Sequence, residues 1–215
     1  MGILLLRDTG RSGKLGIWHL TEPVKELLKM KKFSSEDLAQ LNSFTYEHRK
    51  KEWLVSRILA DKLMGGNAEI IYDENNKPFL HRCQKHISLS HSHNLLAVII
   101  DEKETGIDIE LIKPNVLKIK DKFMSEAELK AIEKGHKKEE LTLYWCVKES
   151  LYKLYGKKKL TFKENLIVEP FEYLAKGNIR ADIIYDSMKR KFELHYEKLS
   201  VEGKDYMMTY ILNEE

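Results

Sequence analysis

Two segments of the chain carry apolar residues at the spacing of long amphipathic helices. One helix is predicted over about 46–64, and the Gly-Gly pair at 65–66 marks its end because glycine readily takes the left-handed conformation that closes helices. The other is predicted over about 139–155 and stops at Gly156. These two helices are the longest elements that the pattern indicates.

Short apolar runs rich in β-branched and aromatic residues follow each helix and are predicted as strands. They lie at about 68–72, 95–100 and 105–110 after the first helix, and at about 179–185, 192–199 and 206–212 after the second. This order predicts an α+β fold of two similar halves, each with a long helix packed on a small antiparallel sheet. We place the join at Lys113-Pro114-Asn115, which divides the chain into 1–112 and 113–215.

The composition is that of a folded protein with a hydrophobic core, since 42% of its residues are hydrophobic and proline and glycine are few. The net charge of +3 suits an acidic protein partner or a phosphorylated ligand; nucleic acid is not expected, because basic and acidic residues are interleaved. Two cysteines without CxxC spacing predict a cytoplasmic protein without a zinc site. The longest apolar run, at 95–100, is too short to span a membrane, so we expect no membrane partner.

Two carboxylates stand two residues apart in the third predicted strand. Asp108 and Glu110 would point to one side of the strand, with Ile107 and Ile109 packed on the other. Carboxylates that face one point repel each other unless a cation or proton lies between them, and their oxygens suit Mg²⁺ or Mn²⁺. The alternative is an exposed strand face with two solvated acids.

The second long helix carries two further candidates away from its apolar stripe. Glu149 and Lys153 are one helical turn apart, and they either form a surface ion pair or complete a metal site with a lysine that reaches a phosphate.

Several donors elsewhere in the first half are candidates for phosphate binding. The segment Ile-Ser-Leu-Ser-His-Ser-His, at 87–93, is predicted as a strand that runs into a polar loop, where Ser90 and His91 could bind a phosphate. Arg49 and Arg57 lie two steps of i+4 apart on the first helix, as either a solvated basic face or a phosphate clamp. Lys77 is a further cation, held by the Asn-Asn-Lys-Pro turn.

In this order along the chain, these motifs resemble the surfactin-type 4′-phosphopantetheinyl transferases. The family pattern is a basic helix with two arginines, a Lys-Pro turn, a Ser-His segment, Gly-Ile-Asp-Ile-Glu and Trp-x-x-Lys-Glu-Ser-x-x-Lys. The corresponding residues here are Arg49 and Arg57, Lys77-Pro78, Ser90-His91, 106–110 and 145–153. The Phe-Met-Ser-Glu-Ala-Glu segment at 123–128 resembles the family's intervening Phe-Ser-Glu element.

The resemblance implies a role for each candidate. Asp108, Glu110 and Glu149 would hold Mg²⁺, or Mn²⁺, on the pyrophosphate of coenzyme A, and Glu149 would take the proton of a carrier serine directly or through water. Lys153 would stabilise the attacked phosphate. The implied coenzyme A contacts are Arg49, Arg57, Lys77, Ser90, His91 and Lys153.

The reaction implied is transfer of 4′-phosphopantetheine from coenzyme A to a serine of an acidic apo acyl or peptidyl carrier protein, with release of adenosine 3′,5′-bisphosphate. The resemblance implies an active site in the cleft between the two halves, and we expect a monomer. Charge alone suggests Lys157, Lys158 and Lys159 as carrier-docking residues.

Three other functions are compatible with parts of this pattern. The three acids also suit another metal-dependent phosphoryl-transfer enzyme, such as a nuclease. A non-catalytic coenzyme A-binding module of the same fold is the second alternative. A nucleic-acid binder is the third, and the interleaved charges disfavour it.

Overall fold

The computed structural model describes residues 2–10, 12–132, 135–157 and 159–214. Helices and antiparallel sheets are mixed along the chain, which confirms the predicted α+β class. The chain forms two compact units: the first comprises Met1–Asp73 and Pro78–Lys103, and the second comprises Glu74–Lys77 and Glu104–Glu215. Within the described ranges, no helix has the length and hydropathy needed to cross a membrane.

The first unit is built on a four-stranded antiparallel sheet of order β1-β2-β6-β5, with β3 and β4 as a separate hairpin. Its elements in chain order are β1 (Ile3–Asp8), β2 (Lys14–His19), α1 (Val24–Leu27), α2 (Ser35–Ser43), α3 (Glu47–Met64), β3 (Ile70–Tyr72), β4 (Pro78–Leu80), β5 (His86–Ser92) and β6 (Leu95–Asp101).

The long helix α3 packs its apolar face on β2 and β6 of this sheet. The core there includes Trp18, Leu54, Ile58 and Val98, all buried. Gly65 ends α3 in the left-handed conformation at φ 78°, as the sequence predicts.

The second unit is built on a five-stranded antiparallel sheet of order β7-β11-β10-β9-β8. Its elements in chain order are β7 (Ile107–Leu111), α4 (Val116–Phe123), α5 (Glu126–Ala131), α6 (Lys137–Tyr155), α7 (Phe162–Asn165), β8 (Leu166–Val168), β9 (Lys176–Tyr185), β10 (Met188–Val201) and β11 (Lys204–Glu214).

The long helix α6 packs on β11 and β7, and Gly156 closes it at φ 69°. Its buried face includes Tyr144, Val147, Leu151 and Leu154, which is the apolar stripe read from the sequence. The position of β7 against α6 is what organises the carboxylates described below.

Three features differ from the expectations. β7 hydrogen-bonds to β11, so residues 104–112 lie in the second unit and the boundary falls near Glu104 rather than at Lys113. β1 and β2, which the sequence pattern did not indicate, form half of the first sheet. The Ser-His segment is not a loop: β5 continues to Ser92, and the chain turns at His93, where φ is 52°.

Candidate active site

β7 begins in close contact with the backbone of α6, and a glycine makes this possible. A Cβ atom added to Gly106 would lie 2.0 Å from the carbonyl oxygen of Ser150, far inside any allowed contact. Steric exclusion of any side chain therefore explains the glycine of the Gly-Ile-Asp-Ile-Glu motif. The carboxylates of β7 lie next to the motif of α6 as a result.

Asp108 is buried and pairs with a lysine of the helix. Lys153 Nζ donates to Asp108 Oδ1 at 2.7 Å and to the carbonyl oxygen of Ile107 at 3.1 Å. Asp108 is 3% exposed, while Ile107 and Ile109 are fully buried on the opposite face, as the alternation of the strand predicts. Lys153 thus joins the helix to the strand, and its ion pair is not merely a surface contact along α6.

Glu110 lies on the same strand face as Asp108 and contacts an aromatic cluster. It accepts a hydrogen bond from Trp145 Nε1 at 3.3 Å. The indole packs against Phe123 and Phe162, with ring centroids 5.2 and 5.3 Å apart, so its orientation is fixed. Glu110 and Trp145 also line a surface pocket of about 200 Å³, together with Leu111, Lys113, Asn115, Val116, Ile119 and Thr142.

Glu149 has a carboxyl group that is unusually easy to protonate. Burial, and next the negative charge of Asp108, raise its pKa to about 7; Lys153 acts in the opposite direction and Glu110 adds to the rise. A carboxylate of this basicity is suited to accept a proton near neutral pH. The three acids proposed from the sequence therefore interact electrostatically within the second unit.

The donor set of this group fits a hard divalent cation. The negative charges of Asp108 and Glu110 disfavour the ionised form of Glu149, and a metal ion among the three carboxylates would relieve this repulsion. Carboxylate oxygens are the ligands that Mg²⁺ and Mn²⁺ prefer. In the part of the chain that the structure describes, however, no group of three or more His, Cys, Asp or Glu side chains is arranged to hold a metal ion. The metal site therefore stays a prediction based on the donor chemistry.

Ser150, which follows Glu149 in the Lys-Glu-Ser motif, helps to hold α6 against β11. Ser150 and Thr209 hydroxyls lie 2.7 Å apart, and Thr209 Oγ1 donates to the carbonyl oxygen of Cys146 at 2.9 Å. Thr209 is the β11 partner of Asp108 in the sheet, so this contact fixes the helix against the strand that neighbours the carboxylates. No local pattern indicates this contact, because Thr209 is far from Ser150 in the chain.

Lys148 is a buried structural lysine. Its ammonium group donates to Glu128 Oε2 at 2.8 Å and to the carbonyl oxygens of Phe123 and Phe162 at 2.7 and 3.0 Å. All three of its protons are used. Glu128 in turn closes the capping box of α5 with Ser125.

In the first unit, two of the predicted phosphate-binding residues share one partner. Arg49 Nη1 donates to Glu52 Oε2 at 2.9 Å, and His91 Nδ1 lies 3.0 Å from Glu52 Oε1. The sequence pattern points to Arg49 and His91 but not to Glu52, because the proximity of Glu52 to His91 depends on tertiary packing. The i, i+3 spacing of Arg49 and Glu52 on one helix does indicate that these two side chains can pair.

Arg57 and Ser90 are more enclosed than a solvent-facing phosphate clamp would require. Arg57 is 4% exposed, its guanidinium carbon lies 3.6 Å from the ring centre of Trp53, and its Nε is 3.9 Å from Asp37 Oδ1. Burial lowers the pKa of Arg57, while Tyr72 and Asp37 oppose the change. Ser90 is 5% exposed and lies within β5.

Lys77, in the second unit, contacts the end of the helix that carries Glu149. Its Nζ donates to the carbonyl oxygen of Leu154 at 2.6 Å. A Cβ atom added to Gly156 would meet the Lys77 side chain at 2.4 Å, so the lysine lies over the left-handed cap. A cation at this place also interacts favourably with the negative end of the helix dipole.

Comparison with known proteins identifies one family. The chain matches the model of the 4′-phosphopantetheinyl transferase superfamily over residues 104–211. It is 32% identical to the 4′-phosphopantetheinyl transferase AcpT of Escherichia coli K12 over 115 residues, which cover 50% of this chain and 59% of that protein. It is 32% identical to a 4′-phosphopantetheinyl transferase of Bacillus subtilis over 88 residues, 39% of each chain.

A third relative matches a longer stretch. The 4′-phosphopantetheinyl transferase psf-1 of Bacillus pumilus is 28% identical over 143 residues, which cover 62% of this chain and 61% of psf-1. In the AcpT proteins the matched segment spans about 60% of the relative's length. The family-model match of residues 104–211 contains Asp108, Glu110, Glu149 and Lys153.

Proposed function

This chain belongs to the 4′-phosphopantetheinyl transferase superfamily, and from that membership we propose that it transfers the 4′-phosphopantetheine group of coenzyme A to a serine of an apo acyl or peptidyl carrier protein. One observation carries the proposal: within the segment that matches the family, Asp108, Glu149 and Lys153 interact in one partly buried group. Adenosine 3′,5′-bisphosphate would be the second product.

Asp108, Glu110 and Glu149 are the residues that would hold Mg²⁺ or Mn²⁺. When bound, the ion would neutralise the negative charge of the coenzyme A pyrophosphate. The carboxylates supply oxygen ligands, and the raised pKa of Glu149 indicates that a positive charge would be stabilised among them.

Glu149 is the proposed general base. The oxygen of the carrier serine forms a bond to the phosphorus that carries the pantetheine arm, and the bond from that phosphorus to the bridging oxygen breaks. Adenosine 3′,5′-bisphosphate leaves with the electron pair, and the serine proton passes to Glu149 directly or through one water.

Lys153 and the other cations are proposed to bind the phosphates. Lys153 already neutralises Asp108 and carries three N–H donors, so it is suited to stabilise the oxygens of the attacked phosphate. Arg49, Arg57, Lys77, Ser90 and His91 are the proposed contacts of the coenzyme A phosphates. Among these, Arg49 and His91 have half-exposed side chains, which favours them as direct contacts.

The remaining features of the proposal concern the cell. The mildly basic chain suits an acidic carrier protein, and the two cysteines without CxxC spacing suit the cytoplasm. We propose a monomeric enzyme.

Mass spectrometry of an apo acyl carrier protein, incubated with this protein, coenzyme A and Mg²⁺, tests the function. The expected result is a carrier that gains one phosphopantetheine group, and no gain with Asp108→Ala, with Glu149→Gln or in EDTA. Full transfer in EDTA would contradict the metal site alone. Coenzyme A binding without transfer to any carrier would support the non-catalytic module, and nuclease activity would support the other phosphoryl-transfer reaction.

A further inference from the structure

A buried carboxylate in the first unit is surrounded by one arginine and two histidine side chains. Glu52 is 7% exposed. Its Oε2 accepts from Arg49 Nη1 at 2.9 Å, while its Oε1 lies 3.0 Å from His91 Nδ1 and 3.3 Å from His48 Nε2. The three partners differ from Glu52 in exposure, because about half of each of their side chains faces solvent.

The local fold explains why these residues meet. His48 and Arg49 lie four and three positions before Glu52 in the first turns of α3, so all three share one side of the helix. His91 lies on β5, on the same strand face as Ile87 and Leu89, which pack with the core residues that α3 covers. The packing of α3 on the sheet that contains β5 therefore brings His91 to Glu52.

The neighbours of Glu52 stabilise its ionised form. Burial acts to raise the pKa of Glu52, but hydrogen bonds from His91 and Arg49, and their charges, leave it below its ordinary value. Glu52 is therefore an anion at neutral pH. Arg49 is restrained further, since its guanidinium carbon lies 5.7 Å from the ring centre of Phe44.

We propose that Glu52 is a positioning residue, which holds His91 and Arg49, with His48 beside them, in a preorganised surface for a phosphate group of coenzyme A. With Nδ1 of His91 on Glu52, the Nε2 atom is the ring nitrogen left for a ligand. Arg49 uses one of its five N–H donors on Glu52 and keeps the others. This inference rests on the proposed function, because coenzyme A supplies the phosphate.

The sign of one measurement separates positioning from simple charge balance. Suppose that Glu52 only balances the positive charge of its neighbours. Glu52→Gln then removes a negative charge near the phosphate, and coenzyme A binds about twofold more tightly. If Glu52 orders Arg49 and His91, the same substitution frees both side chains, and binding must then immobilise them. The dissociation constant then rises about five- to thirtyfold.

Calorimetry of coenzyme A binding to the full chain carries out this test. Asp61→Asn is the matched control, because Asp61 is another α3 carboxylate, paired with Lys31 at 2.5 Å and with the backbone of Ala68. We expect weaker binding for Glu52→Gln and parental binding for Asp61→Asn. In kinetics, Glu52→Gln should raise the KM for coenzyme A and leave the KM for the carrier unchanged.

Dephospho-coenzyme A, which lacks the 3′-phosphate, identifies the phosphate involved. If the effect of Glu52→Gln disappears with this ligand, the surface holds the 3′-phosphate; if it persists, the surface holds the pyrophosphate. Both results support positioning. Unchanged or tighter coenzyme A binding by Glu52→Gln overturns it and leaves the proposed function intact, whereas a parent protein that does not bind coenzyme A overturns both.

A measurement on the parent protein covers the case in which Glu52→Gln does not fold. Nuclear magnetic resonance of the histidine ring nitrogens follows His91 during a titration with coenzyme A. We expect the Nε2 resonance to shift while the Nδ1 resonance keeps the signature of its bond to Glu52. A His91 ring whose resonances do not respond to saturating coenzyme A contradicts the proposal.

Discussion

Gly106, at the start of the β7 motif, leaves no room for a side chain. A methyl group there would meet the backbone of Ser150, which belongs to a helix and has little freedom to move. A methyl group would therefore destabilise the fold by overpacking two rigid elements, and the resulting distortion would lie next to Asp108 and Glu149.

We expect Gly106→Ala to lower the free energy of unfolding by about 2 kcal/mol or more, and to reduce transfer activity, because β7 must move away from α6. Urea denaturation measures the first effect. Gly135→Ala is the control, since an added Cβ at Gly135 has no heavy atom within 4 Å. Equal stabilities for the two variants would show that the strand and the helix separate without cost.

Glu149 provides a prediction about pH. Its pKa in the folded protein is about 7, above the ordinary value of 4.5, so the fold favours the protonated form. The stability that this protonation contributes is present below pH 4.5 and is lost as the pH rises through 7. Ionised Glu149 is thus a destabilising group, as expected of a residue kept for the proposed reaction.

In EDTA, Glu149→Gln should be more stable than the parent at pH 8 by about 1–3 kcal/mol and nearly equal to it at pH 4. Urea denaturation at both pH values measures this difference. The exposed Glu102→Gln should show no such dependence. A parent protein that is the more stable of the two at pH 8 would mean that ionised Glu149 is well stabilised in the fold.

At the scale of elements, α6 is held by a lysine rather than only by its apolar face. Lys148 is fully buried, and Glu128, its ionic partner, also accepts from the backbone of Val168 at 3.0 Å. Removing Lys148 would leave the buried carboxylate of Glu128, between α5 and β8, without its counter-charge. Removing one partner destabilises the fold by more than the net contribution of the ion pair, because the remaining carboxylate is buried without a counter-charge.

We therefore expect Lys148→Met to lower the free energy of unfolding by about 3–5 kcal/mol, and the double variant Lys148→Met, Glu128→Gln to recover part of that loss. Lys120→Met, which removes a lysine paired with Asp121 on the surface, should change stability by less than about 1 kcal/mol. Denaturant titrations of the parent, Lys148→Met, Glu128→Gln and the double variant measure the coupling. Additive effects of the two core substitutions would be inconsistent with a coupled pair.

The elements that could be predicted from the sequence are those specified by local chemistry. α3 and α6 end at glycines in the left-handed conformation, and Asp108 and Glu110 share a strand face because side chains alternate. β1 escaped the prediction because its outward side includes apolar residues, with Leu4 and Leu6 about half exposed. A strand with apolar side chains on both faces has no alternation to read.

The part of the site that could not be predicted depends on residues far apart in the chain. Glu52 meets His91, and Lys148 meets Glu128, only through tertiary packing. Their types alone, a helical acid and a helical lysine, indicate solvated positions. Likewise, the partner of Lys153 is Asp108 on another element, although Glu149 is its neighbour along the helix.

For the whole molecule, the net charge of +3 bears on the encounter with the proposed carrier protein. Lys157 and Lys159 are exposed just after the end of α6, and Lys158 lies outside the described residues. A basic surface attracts an acidic partner mainly by raising the rate of encounter, and salt screens the attraction over about 10 Å at 0.1 M.

Replacing Lys157, Lys158 and Lys159 with alanine should raise the KM for the carrier and flatten its dependence on salt, while the KM for coenzyme A changes little. Steady-state kinetics at low and high salt measures both constants. A variant with alanine at three dispersed, exposed lysines, Lys163, Lys176 and Lys204, removes the same charge and serves as the control. Parental kinetics of the first variant at low salt would place carrier docking elsewhere.

The path of the chain through its two units limits how this protein can be divided during evolution. The second unit takes in Glu74–Lys77 long before its main part begins at Glu104, and Lys77 bonds to Leu154 at the end of α6. A gene segment that encodes only 104–215 would inherit the carboxylates without that lysine. Recombination could move the second unit into a new protein intact only by carrying two separate stretches of coding sequence.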